Sequence, residues 1–196
     1  MPGTLAYQNS NMTWRKRAVA VGSVAVLILA LTPLAKAKDT IAICSPVNGQ
    51  WYFMGKPGPV ITQSGERLSV DMSAYGRPTA TGRFLSPNRI QVTFPDDATF
   101  IGTLDGRGRI SWNNSTVWDA RNFSGTWKFL DQAGPIVTQT GNRLSVNMSA
   151  YGRPVANGTV TAPSVATVTF PDDGTFTATL VSPSCIQWSN RTTWTK

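Results

Sequence analysis

From Gly49 onward the chain alternates between apolar and polar positions. Leu68, Val70 and Met72 stand two apart with Ser69 and Asp71 between them, and Ile90, Val92 and Phe94 alternate with Gln91 and Thr93. Phe100 and Leu104 alternate with Thr99 and Thr103, while Ile110 and Trp112 flank Ser111. A period of two sends neighbouring side chains to opposite faces, so each run predicts a half-buried strand. Gly, Pro, Asn and Asp interrupt the runs at QSGERL, SAYGRP, LSPNR, PDD, LDGRGR and WNNST, where the chain must turn. No amphipathic helix is legible in this region.

The same pattern then recurs. A shift of 76 residues lays Gly49–Trp118 on Gly125–Trp194 without a gap, and 37 of the 70 aligned positions are identical. Each copy predicts six to eight short antiparallel strands. A sheet with one apolar face must close on itself or find a second sheet. A single copy sits near break-even between apolar burial and the entropy of ordering, so the two copies are expected to pack on each other. The expected fold is all-β, two tandem meander repeats of ~70 residues forming small β-barrels. The alternative is one shared barrel with pseudo-two-fold symmetry.

The expected division is a signal peptide over 1–37, a lead-in over 38–46, a first repeat over 47–118, a linker over 119–122 and a second repeat over 123–196. The opening G-x-W of each copy (Gly49 and Trp51, Gly125 and Trp127), followed by a strand meander, resembles avidin- and lipocalin-like barrels. That resemblance implies an up-and-down barrel and transfers no site residue.

Composition matters mainly through the first forty residues. Arg15, Lys16 and Arg17 precede an apolar run from Ala18 to Leu31, and Ala35 and Ala37 form an A-x-A cleavage signal. The run is too short to span a bilayer, so it predicts a secretory leader, with an uncleaved anchor as the alternative. Met12 is a second candidate start. The formal charge of +8 falls with the leader: four of the 18 basic residues leave and all ten acids stay, 14 − 10 = +4. The remaining charges are scattered, and nucleic-acid binding calls for a basic face, so that class is excluded. No later segment is apolar enough to span a membrane as a helix. The expected location is secreted or periplasmic.

In an exported chain an even cysteine count suggests pairing, here Cys44 with Cys185. Two free thiols are the alternative. Such a bridge would close a loop of about 140 residues, with a chain-entropy ceiling of ~5 kcal/mol.

Histidine is absent, which removes Ser-His-Asp and Cys-His catalysis and most zinc sites. Glu66 is the one glutamate, and Asn142 occupies its place in the second copy. The expectation is a protein that is not an enzyme and takes no cofactor. The paired acids Asp96 and Asp97, repeated as Asp172 and Asp173, follow a Pro and precede Ala98 or Gly174, which suits a hairpin turn. A metal site is the weaker reading, because calcium asks for six to eight oxygens and two carboxylates supply at most four.

The remaining candidates are loop residues. Tyr75 and Arg77, with Tyr151 and Arg153, stand in SAYGRP turns, where an aromatic and a forked cation can meet a ligand. The plain reading is Tyr packing over the barrel end and Arg pairing with an acid. Asn114 and Trp118, with Asn190 and Trp194, belong to N-x-T loops, and the expectation places these tryptophans near a rim. Ring faces and amides there would suit a sugar. Trp112 and Trp188 are expected inside. The expected function is a binding protein with duplicated loops, its partner a glycan or envelope polymer. A structural or protein-interaction module of the envelope, protease-inhibitor-like barrels included, is the alternative. Oligomeric state is left open.

Overall fold

The computed structural model describes residues 46–196. The leader, all of the lead-in before Pro46, and Cys44 lie outside the described residues. The described chain forms two closed antiparallel barrels of eight strands each, in tandem, so two barrels form and not one shared barrel.

The first is built from β1 (Gly49–Phe53), β2 (Lys56–Ser64), β3 (Arg67–Asp71), β4 (Ala80–Ser86), β5 (Arg89–Thr93), β6 (Thr99–Leu104), β7 (Arg109–Trp112) and β8 (Val117–Asp119). The second repeats it with β9 (Gly125–Phe129), β10 (Gln132–Thr140), β11 (Arg143–Asn147), β12 (Ala156–Ala162), β13 (Val165–Thr169), β14 (Thr175–Ser182), β15 (Cys185–Trp188) and β16 (Thr193–Thr195). Each strand pairs with the next, and β1 meets β8 through Tyr52↔Asp119 and Phe53↔Trp118. Closure leaves no sheet edge for another chain to pair with.

The alternation maps onto the burial. Leu68, Val70, Ile90, Val92 and Ile110 point inward and are buried, with their polar neighbours outside. Trp51 and Trp127 are fully buried, and their indole N–H groups donate to the carbonyls of Val47 (2.8 Å) and Phe123 (2.9 Å). Val47 and Phe123, each just ahead of its first strand, are themselves buried and close one end of each barrel, the base.

The two cores are filled differently at one point. In the first barrel Ile90 faces Gly102 across the sheet; in the second Ala166 faces Ala178. A methyl added at Gly102 would stand 2.8 Å from Ile110 Cγ2 and 3.1 Å from Ile90 Cγ1. Large-plus-none and small-plus-small fill a similar volume, and cores tolerate changes that conserve volume.

In a meander the turns fall alternately at the two barrel ends. The base turns are the ones that join the barrels. Ser164 Oγ of the second barrel donates to the Arg107 carbonyl of the first at 2.7 Å, and on the first barrel's side Ala120 N, at the start of the linker, holds the Gly108 carbonyl at 2.7 Å. Gly108 has φ +79°, and a Cβ there would run into the Leu180 carbonyl, so this position requires glycine. Its counterpart in the second copy is Ser184. Both barrels belong to one compact unit, and the opposite ends, the mouths, lie away from the junction.

Candidate functional site

Three loops supply the polar edge of the first barrel's mouth, and the β1–β2 hairpin forms its remaining side. The β3–β4 connection starts with a single 3-10 turn, Ser73–Tyr75, where Tyr75 N donates to Met72 O and Gly76 N to Ser73 O, both at 2.9 Å. Asp71 holds its entry by accepting Ser73 N at 2.8 Å. The turn throws Tyr75 across β2, where Gly58 leaves bare backbone; a Cβ on Gly58 would occupy the place of the phenol. Gly134 and Tyr151 repeat the arrangement. Burial pushes the pKa of both phenols up.

Arg77 leaves the same loop and meets the β5–β6 turn. Its Nε lies 2.8 Å from Asp96 Oδ2 and its Nη2 2.9 Å from Asp96 Oδ1, with Asp97 Oδ2 at 3.4 Å. The guanidinium carbon sits 5.3 Å from the Phe94 ring centroid, a cation–π distance. Arg153 repeats this with Asp172 at 2.7 and 2.8 Å, Asp173 at 3.6 Å and Phe170 at 5.4 Å. Hydrogen bonds from the arginines hold the Asp96 and Asp172 carboxyls below the usual carboxylate range and raise the arginines in turn.

The same acids close the hairpin: Asp97 N donates to Phe94 O at 3.2 Å and Phe94 N to Ala98 O at 3.0 Å. Asp96, Asp97, Asp172 and Asp173 thus serve as turn formers and arginine acceptors. Among the described residues no three His, Cys, Asp or Glu side chains stand together as a metal group would need.

The third loop, between β7 and β8, is an Asx turn in which Asn114 Oδ1 accepts Thr116 N at 3.1 Å and Thr116 Oγ1 at 2.7 Å. The Asn114 amide nitrogen donates to nothing among the described residues. Asn190 and Thr192 are arranged alike. Trp118 follows two residues later, but it does not stand at a rim. It is 6 % exposed and Trp194 3 %, because β8 and β16 turn inward at once and carry these indoles into the barrel. There Trp118 meets Trp112 at a centroid distance of 4.6 Å, with Phe94 at 6.5 Å and perpendicular. The Trp112 and Trp188 N–H groups are buried without a hydrogen-bond acceptor, each edge-on to aromatic neighbours.

Together these loops line a cavity of about 230 Å³. Its floor is Met72, Phe94, Phe100, Trp112 and Trp118, with Phe53 on one wall. Its polar edge is Tyr75, Arg77, Asp97, Asn114 and Thr116. Tyr75, Arg77, Asn114 and Trp118, picked from separate loops of the sequence, converge here. The phenylalanines and Trp112 join them without any loop chemistry to announce them, although the sequence carries a signal for them.

That signal is the repeat itself. All eleven lining residues are identical in the second copy, whereas the other 59 aligned positions share 26. Away from the mouth the buried core has changed at Ile61 (Val137) and Ile90 (Ala166), while Trp51, Leu68, Val70, Ala80, Val92 and Ile110 are kept.

No known family, curated protein or solved structure matches the chain. Cys185, the one cysteine among the described residues, is fully buried at the start of β15. No helix among the described residues is long and apolar enough to cross a membrane.

Proposed function

We propose that this is an exported, non-enzymatic binding protein whose two barrel mouths are equivalent sites for a small hydroxyl-rich ligand, a sugar unit of a glycan or envelope polymer. The observation that carries the reading is the complete identity of the mouth lining between copies that agree at fewer than half of their other positions. The deeper core has accepted changes at Ile61, Ile90 and Gly102, where the second copy has Val137, Ala166 and Ala178, and the lining has accepted none.

The chemistry is consistent with a sugar. Indole and phenyl rings stack on C–H faces, while a phenol, an amide N–H₂ and a carboxylate oxygen meet hydroxyls. Two like sites on one chain gain avidity on a repeating polymer. Pairing of Cys44 with Cys185 on export is part of the proposal, checked by mass spectrometry of the unreduced protein.

The test is a glycan array followed by intrinsic tryptophan quenching of the exported chain. Saturable quenching with two like sites is expected, and Tyr75→Phe with Tyr151→Phe weakens it without unfolding the protein. A folded protein silent in both assays overturns the proposal.

A further inference from the structure

The hairpin that rises from the mouth wall has an unexpected tip. Phe53 pairs with Lys56, so only Met54 and Gly55 make the turn, with φ of 51° and 79°. In the second copy Phe129 pairs with Gln132, and Leu130 and Asp131 turn with φ of 51° and 60°. Two-residue turns with both φ positive are normally filled by Asn-Gly or Asp-Gly, because a side chain in the left-handed region is strained. Here the first position carries Met and then Leu, 84 % and 71 % exposed. Burial within the barrel does not offset the strain.

The neighbours make drift an inadequate account. Gly55, Lys56 and Pro57 have become Asp131, Gln132 and Ala133, yet a large apolar side chain persists at the tip. Phe53, next to it, lines the cavity and pairs with Trp118 on its floor. An apolar group is therefore presented beside the first barrel's cavity and at the matching place on the second barrel, facing solvent.

We infer that each mouth takes an amphipathic ligand, its hydroxyl-bearing head in the cavity and an alkyl or acyl chain laid against Met54 or Leu130. This rests on the reading of the mouths as sugar sites. A lipid surface is the less favoured occupant. Lys56 stands beside the first tip, whereas at the second Lys128 is offset by Asp131, so the copies share no net positive charge that would prefer an anionic surface. The barrels also meet by their bases, so each mouth needs its own apolar partner, which a ligand chain supplies.

The experiment titrates the exported chain with methyl and n-octyl β-glycosides of glucose, galactose and N-acetylglucosamine, the octyl compounds below their micelle concentrations. With at least one sugar the octyl glycoside is expected to bind at least about tenfold tighter than the methyl one, the gain from burying a few methylenes. The variant Met54→Asn with Leu130→Asn, which suits the turn and should melt higher, brings the octyl compound back to the methyl compound's affinity. If a methyl glycoside binds and its octyl partner is no tighter, the inference falls while the sugar reading stands. It also falls if the gain survives the double variant. If no glycoside of either kind binds, the sugar reading fails and takes the inference with it. Capture by glycan-free phosphatidylcholine vesicles that depends on Met54 and Leu130 overturns it in favour of membrane docking.

Discussion

Arg77 grips Asp96 with two near-parallel N–H···O bonds, joining the β3–β4 loop to the β5–β6 turn across 19 residues of sequence. Arg153 does the same to Asp172. The pairing fixes two of the four mouth connections relative to each other, and bidentate geometry does this in a way lysine cannot.

Acid should loosen this link. The folded-state pKa values of Asp96 and Asp172 lie below the unfolded value, so their contribution is fully present above about pH 4. It is lost as pH falls through the lower, folded-state pKa. Arg77→Gln with Arg153→Gln should be less stable at pH 7 and lose stability less steeply below pH 4. Urea unfolding from pH 2 to 7 checks this, and parallel wild-type and variant curves would refute it.

Alkaline pH should act in the other direction through Lys196. Its ammonium lies 4.3 Å from the Trp127 ring centroid and donates to Ser124 O at 2.8 Å. Burial pulls its pKa down to about 8. Between about 8 and the unfolded value near 10.4 the unfolded chain binds more protons, so stability rises with pH across that window. Lys196→Gln should flatten the rise. Above pH 10 the raised phenols of Tyr75 and Tyr151 work against it.

Core complementation can be measured by exchange. Gly102→Ala alone should cost about 1–3 kcal/mol by overpacking, and Ile90→Ala alone about 2–5 kcal/mol by leaving a cavity. Together they recreate the Ala166 and Ala178 pair, so the double variant should lose less than the sum, with coupling of about 0.5–3 kcal/mol. Strict additivity in denaturant unfolding would show that the two sites do not share space.

The glycines under the tyrosines should not be equivalent. At Gly58 the nearest atom to an added methyl is the Tyr75 hydroxyl, the end of a side chain that is 40 % exposed and can swing out. At Gly134 the hydroxyl and two ring atoms of the more buried Tyr151 all crowd the same place. Gly134→Ala should therefore cost about 1–3 kcal/mol, and Gly58→Ala less. Thermal melts of the two single variants decide it.

The barrels themselves were legible because Val92, Phe94 and their polar neighbours keep strict alternation and the 76-residue period doubles every signal. The mouth was half legible. Tyr75, Arg77 and Asn114 announce themselves by loop chemistry, whereas the Arg77–Asp96 partnership depends on which turns share a barrel end. Trp118 lies deeper than its loop suggests, because nearness to a turn in sequence is not nearness to solvent. A three-residue strand can carry its central side chain straight inside. The tip at Met54 had no sequence signal, since only the backbone shows that an apolar residue holds a left-handed turn.

The Val47 and Phe123 plugs have one more consequence. With the lower end of each barrel stopped by a buried side chain over a buried tryptophan, a barrel is a cup and not a tube. Whatever enters by a mouth must then leave by it, which is the geometry that the proposed binding role asks for and a conducting pore does not. On that proposal, the Tyr75 and Asn114 loops at the single entrance would set how long a ligand stays.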